Sequence, residues 1–382
     1  MDTVLIGKNL RRIRESRHMS QDRLSKMAGI SRVAYRSIET GSSEPRVSTL
    51  QSIATALDVK LADLLVPTRT LQSVRFRSLK KMTSRESILN DVARWLDDFT
   101  DLENLLGDFA PYRFKDFQNQ LPKDVQGEPK AVLAAQLART MLGLNGHDAI
   151  RDIAGLIESS GIKLLPIRLA SEGFFGLSVS ERDGGPAIIV NVWDRIAVER
   201  WIFSTAHELG HLLLHLDSYD TQEATEDETQ EAEASLFASY FLMPEASFLS
   251  EWREASGLDL VDRVFKIKRI FQVSYKTVLY RISRHEVNRI WIKFNLAYQN
   301  KYGLSLKGHC EPEALHPSSF HPDPETLKSQ EPDPLSPSYF MEDRLAGLVR
   351  KAIEAEQITL GRGAEILNLN LNKMREIVSS WI

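Results

Sequence analysis

The chain has 382 residues, 42% of them hydrophobic and 26% charged, which is ordinary for a folded, water-soluble protein and enough for two or three domains. Its net charge of −4 conceals a division: residues 1–81 hold 16 Lys+Arg against 7 Asp+Glu and the remainder 32 against 45, so a basic head that meets a polyanion precedes an acidic body. A single cysteine, Cys310, excludes an internal disulfide framework, and the absence of a long apolar run or a signal-peptide core predicts a soluble cytoplasmic protein with no membrane partner.

Residues 1–67 read as a five-helix domain. Asn9 to Arg17 is basic and helical, and Ser20 is placed to cap a helix over Gln21–Ala28. Gly29 breaks the pattern with a residue that tolerates positive φ, Ser31 caps the next helix to Glu39, and Thr40-Gly41 ends it. Leu50, Ile53, Ala54, Leu57, Leu61 and Leu64 then recur at helical spacing. Two short helices set at an angle by Leu24, Ala28, Ile30 and Ile38 form a helix-turn-helix, in which the second helix enters the major groove of DNA.

Ser20-Gln21, Leu24, Ala28-Gly29-Ile30-Ser31, Ile38-Glu39, Gly41, Pro45 and Leu50 together resemble the Xre (phage-repressor-like) helix-turn-helix family over residues 5–65. The resemblance implies base-reading roles for Arg32, Val33, Arg36 and Ser37, backbone-positioning roles for Gln21 and Arg46, and a homodimer on a double-stranded DNA operator. Tyr35 stands where the family has a buried aliphatic residue and is expected in the core.

Residues 68–129 are charged and aromatic, with a helical pattern from Ile88 to Leu106, and read as a helical connector. Residues 130–300 are mixed α+β: helices over Ala131–Leu142 and Ala149–Ser159, and strands over Ile162–Ile167 and Ala187–Val192, the second after a Gly184-Gly185-Pro186 turn. A helical stretch, Phe203–Leu216, follows and carries His207-Glu208-Leu209-Gly210-His211. In this H-E-x-x-H spacing both histidines share one helix face and can hold a zinc ion, with Glu208 beside it as general base.

Two histidines need a third protein ligand. Leu214 and Asp217 occupy the places where a metzincin carries a glycine and a third histidine, which disfavours that class and leaves Asp217 a distant alternative. His215 lies about 12 Å along the helix from His207, too far to share the ion, and reads as a supporting histidine. The next helix, about Gln230–Leu242, has a buried stripe at Ala234, Phe237, Ala238 and Phe241. Glu231 aligns with that stripe, by a small margin over Glu233.

Ile189-Val190-Asn191, Glu199-Arg200, Phe203 to His215 and Glu231 to Pro244 resemble the ImmA/IrrE family of zinc endopeptidases over roughly residues 130–285, with a weaker trailing match at Val273-Ser274 and Tyr280-Arg281-Ile282. The resemblance implies Glu231 as the third zinc ligand and a helix-turn-helix repressor, or the chain itself, as the protein substrate. Ser235 replaces the family's asparagine. Tyr240, Tyr275, Tyr280, His285 and Arg200 are candidates to stabilise the oxyanion.

Residues 301–342, rich in Pro, Ser and His, read as an irregular segment in which Cys310, His316 and His321 are linker residues. Residues 343–382 read as a small C-terminal helical unit divided at Ile358–Gly361, with a faint likeness to a helix-turn-helix. The expected fold is therefore mainly α with an α+β zinc-peptidase domain, and the expected function a DNA-binding regulator with zinc endopeptidase activity. The alternatives are a non-cleaving factor whose peptidase fold senses metal or ligand, and a component of a toxin–antitoxin pair.

Overall fold

The computed structural model describes residues 2–16, 19–57, 59, 61–65, 71, 73–78, 85–169, 174–219, 227–285, 289–306 and 331–381. The chain divides into two units, Met1–Leu71 with Lys81–Asp98, and Gln72–Lys80 with Phe99–Ile382.

In the first unit, α1 (Thr3–Ser16), α2 (Gln21–Met27), α3 (Arg32–Glu39) and α4 (Val47–Leu57) are followed by a 3₁₀ turn at Leu61–Leu64, where a fifth helix was expected. Ser20 and Ser31 cap α2 and α3, their hydroxyls accepting from the N–H groups of Arg23 and Ala34. Gly29 sits between them at φ +69°, where an L side chain would be strained. Leu24, Ala28, Tyr35, Ile38, Leu50, Ile53 and Leu57 close one small core, and Tyr35 is fully buried as expected. The Arg14 guanidinium grips the Glu39 carboxylate with two hydrogen bonds of 2.7 and 2.9 Å and braces α1 against α3.

The second unit is built on a four-stranded sheet of order β1-β3-β4-β2, formed by β1 (Val74–Ser78), β2 (Lys163–Ile167), β3 (Phe174–Val179) and β4 (Ala187–Asn191). β2 and β4 run parallel, while β3 is antiparallel to both β1 and β4. Two strands were not anticipated. β3 is buried along its whole length, so it lacks the alternation that marks a half-exposed strand. β1 lies in the stretch read as a helical connector, and its partner is about 100 residues away. That stretch is therefore only partly a connector: β1 extends the sheet, and Phe114, Phe117 and Leu121 join the main core.

α5 (Arg85–Leu106) runs across the division between the units, and the second unit continues with α6 (Phe117–Gln120), α7 (Glu128–Met141), α8 (Ile153–Ser159), α9 (Val198–Leu214) and α10 (Glu228–Leu242). α9 packs on β3, β4 and α10, and α10 also packs on α7. Then come α11 (Glu245–Glu254), α12 (Leu260–Phe271), α13 (Tyr275–Ser283) and α14 (Ile290–Tyr302). The Pro-rich segment is irregular over 331–343 apart from one 3₁₀ turn, and Glu199 on α9 pins it by accepting from the Leu335 N–H (2.8 Å) and the buried Lys268 ammonium. Cys310, His316 and His321 lie outside the described residues. The C-terminal unit has three helices rather than two: α15 (Arg344–Glu354), α16 (Leu360–Ile366) and α17 (Leu371–Ser379).

Candidate metal centre and nucleic-acid interface

α9 carries His207, Glu208 and His211 on a helix that is buried almost throughout, and both histidines are fully inaccessible. α10 crosses against it and brings Glu231 to the same point. Ligand atoms of His207, His211 and Glu231 all lie within 4.8 Å of one another. The two Nε2 atoms are 2.9 Å apart, and the Glu231 carboxylate oxygens stand 3.2 Å from His207 Nε2 and 3.1 Å from His211 Nε2.

The surroundings set the tautomers. Glu233, the alternative ligand by helix angle, faces away from this point and accepts from His215 Nε2 at 2.9 Å. With that proton committed, His215 Nδ1 is an acceptor, and it meets His211 Nδ1 at 2.9 Å. His211 therefore donates from Nδ1 and presents the Nε2 lone pair to Glu231 and His207. Ser235 Oγ lies 3.3 Å from His207 Nδ1 and supports that ring in the same way, so the serine found in place of asparagine still supplies an acceptor. Burial pushes the His211 imidazole down to about 4 and also lowers His215, which keeps both rings neutral. Three electron-pair donors aimed at one buried point fit a cation, and two imidazoles with one carboxylate form a donor set that zinc accepts.

Glu208, on the same helix, reaches the sheet. Its Oε2 accepts from Ser178 Oγ at 2.8 Å, and Ser178 in turn accepts from the Tyr219 hydroxyl at 2.8 Å. Burial raises the Tyr219 phenol, so it remains a donor. Gly176 on β3 makes room for this carboxylate, because a Cβ there would lie 3.1 Å from Glu208 Cγ and 3.0 Å from the Ile189 carbonyl oxygen. Arg75 of β1 reaches Glu231 at 3.1 Å and also hydrogen-bonds Gln230. Ser178, Tyr219 and Arg75 escaped the sequence reading. Ser178 and Arg75 sit on the two strands that were not recognised, and no local motif marks any of the three.

The oxyanion candidates have other engagements. Tyr275 stacks on Phe294 in the core, His285 pairs with Glu245, Tyr280 lies beside Arg284, and Tyr240 lies under the Arg281 guanidinium. Arg200, two turns before His207, packs on Phe175 and Phe203. For the alternative ligand Asp217, the side chain lies outside what the structure describes.

In the first unit, Arg32, Val33 and Arg36 are exposed on α3, Val33 by 76%, and Ser37 is half-buried on the same helix. Arg46 is exposed just before α4. Gln21 is half-buried, and its amide donates to Glu39 at 2.8 Å, which ties it to the Arg14–Glu39 pair. The apolar side of α3 is thus spent on the core, and the outward side presents guanidinium groups and a branched aliphatic surface.

Residues 157–283 match the IrrE N-terminal-like domain of peptidase M78, and residues 10–64 match the helix-turn-helix domain. Two curated relatives are similar to the head alone: the uncharacterized HTH-type transcriptional regulator YqaE of Bacillus subtilis (strain 168), 38% identical over 61 residues, and y4dJ of Sinorhizobium fredii, 34% identical over 64 residues. These matches cover 16% and 17% of this chain, and 53% and 83% of the respective relatives, so the chain spans about half the length of the first. Among solved structures, the apo form of ComR from S. thermophilus aligns over 79% of this chain and 95% of its own at 14% identity. Its TM-score of 0.16 carries no argument.

Proposed function

Because the chain belongs to the helix-turn-helix transcriptional regulators and carries a peptidase M78 domain, we propose that it is a DNA-bound regulator that hydrolyses a peptide bond in a protein partner. The carrying observation is the convergence of His207 Nε2, His211 Nε2 and the Glu231 carboxylate on one buried point, next to a Glu208 held by hydrogen bonds. His207, His211 and Glu231 would hold zinc. When bound, the ion supplies Lewis acidity to a water and to the scissile carbonyl.

The residues of the chain do the rest. Glu208 takes the proton from the attacking water and returns it to the leaving amine. Ser178, itself fixed by Tyr219, holds one carboxylate oxygen of Glu208 in place. The neutral ring of His211 is poised as a ligand without having to lose a proton first. Arg75 supplies positive charge beside Glu231, where a substrate carbonyl oxygen would gain negative charge.

The head would recognise a double-stranded operator as a homodimer. Arg32, Arg36, Val33 and Ser37 would read base edges, and Gln21 and Arg46 would set the position on the backbone. The substrate of choice is a repressor with a similar helix-turn-helix, or the chain itself, because a regulator that binds DNA is delivered to other DNA-bound repressors.

The test incubates the purified, zinc-loaded full chain with repressors encoded beside it and maps new N-termini by mass spectrometry. Cleavage that falls about 10³-fold or more in Glu208→Gln, with operator binding intact, is the expected result. Unchanged substrates in every case, with DNA affinity that responds to zinc, would establish the non-cleaving sensor instead.

A further inference from the structure

The C-terminal unit repeats the hairpin of the head almost hydrogen bond for hydrogen bond. Ser20 and Thr359 cap the first helices, each hydroxyl accepting at 3.1 Å from the N–H three residues on. Seven helical residues follow in both cases, α2 and α16. The Ala28 N–H then bonds the Leu24 carbonyl as the Leu367 N–H bonds that of Gly363, and Ile30 reaches back to Ser25 (3.0 Å) as Leu369 does to Ala364 (2.8 Å). Gly29 at φ +69° is matched by Asn368 at φ +52°, a conformation that asparagine tolerates better than most residues. Ser31 caps α3 through the Ala34 N–H, and Asn370 caps α17 through the Lys373 N–H. The fourth residues of these helices, Tyr35 and Met374, are both fully buried.

Geometry alone does not make a reader of DNA, and the molecule contains its own control. The α12–α13 hairpin has the same turn: Gln272 at φ +53°, the Val273 N–H bonded to the Lys268 carbonyl, and Ser274 capping α13 through the Thr277 N–H. There, however, the positions equivalent to Arg32 and Arg36 are Tyr275 and Leu279, and both are buried in the main core. In α17 the same two positions, Leu371 and Arg375, are exposed, as are Asn372, Lys373 and Glu376. Arg375 has no carboxylate partner among the described residues, and its hydrogen bond is to Asn372 at 3.4 Å.

We propose that α17 is a second DNA-reading helix, with Asn372 and Arg375 contacting base edges in a major groove. Asparagine matches adenine and arginine matches guanine through paired hydrogen bonds, and Leu371 can cover a thymine methyl. Charge favours the same occupant. Residues 82–342 hold 26 Lys+Arg against 40 Asp+Glu, whereas residues 343–382 hold six against five and break the acidic character of the body. Trp381 lies 5.3 Å from the Arg350 guanidinium and ties the end of α17 to α15, so the helix is presented on a fixed frame.

The full chain is incubated with a random duplex library of about 40 base pairs, long enough for two half-sites, and bound molecules are sequenced. Wild type should enrich two sequence elements. Arg32→Ala/Arg36→Ala should lose one of them and Asn372→Ala/Arg375→Ala the other, with affinity for the wild-type site falling about tenfold or more in each case. Arg375→Lys should keep part of the affinity, and its thermal melting should match wild type. The same enriched elements and an affinity within about twofold in Asn372→Ala/Arg375→Ala would overturn the proposal. So would a variant whose change is confined to its mass in sedimentation, since the face would then be a protein interface.

Discussion

The two candidate site helices treat their polar residues in opposite ways. On α3 every expected base contact except Ser37 is exposed, and on α9 the whole H-E-x-x-H set is buried. The contrast follows from the chemistry. DNA supplies the partner charges from outside, so a reading helix spends only its apolar side on the fold and offers flexible cations to the solvent. A metal site works through fixed lone pairs in a low dielectric, so its residues are enclosed and each ring is oriented by another group. The cost differs as well: α9 needs Glu233, His215, Ser235, Ser178 and Tyr219 around it, while α3 needs only its core and its cap.

The largest effects should appear on the buried side. Glu231→Ala should weaken zinc binding by more than about 100-fold in competition with a chromophoric chelator, whereas Glu233→Ala, which removes a support of His215 and not a donor, should cost about 10- to 100-fold. Equal losses in the two would break the assignment of ligand and support. DNA affinity should be unchanged in both.

Burial also makes stability on that side sensitive to pH. Burial pushes the Glu158 carboxyl from 4.5 up to about 7, against the pull of the Asp343 and Arg344 N–H groups that it accepts. Between these values the unfolded chain is ionised while the folded chain keeps the proton. The contribution is therefore fully present below pH 4.5 and is lost as pH rises through 7. Glu158→Gln should flatten that part of the profile and gain up to about 3 kcal/mol over wild type at pH 8, measured by urea unfolding at both ends of the window. A parallel pair of profiles would remove Glu158 as the cause.

On the exposed side the effects are smaller. Arg36→Ala should cost about 1–3 kcal/mol of operator affinity and relax selectivity at one base position, with no change in melting temperature or zinc content. A loss that is uniform across sequences would make Arg36 a backbone contact.

Much of this was legible in the chain because the signals are local. Ser20, Gly29 and Ser31 mark a turn within twelve residues, and His207, Glu208 and His211 share one helix face by spacing alone. Glu231 needed more: helix angle barely separates it from Glu233, and the packing of α10 on α9 turns one toward His207 and the other toward His215. β1 and β3 carried no turn signal such as the Gly184-Gly185-Pro186 that precedes β4, and the sequence reading missed them. With them went Arg75 and Ser178, whose roles exist only because strands distant in sequence pair in one sheet.

By itself the amino-acid order determined the helix-turn-helix signature of the head, the two histidines one helical turn apart and the charge division between head and body, because each rests on residues within a few turns of one another or on composition. Tertiary structure alone decided which glutamate faces the histidines, which groups hold Glu208, and which of three hairpins with the same turn present their second helix to solvent. Those outcomes depend on side-chain direction and on burial by remote segments. A turn fixes the angle between two helices, but the surrounding core fixes which of their faces remains free to meet a partner.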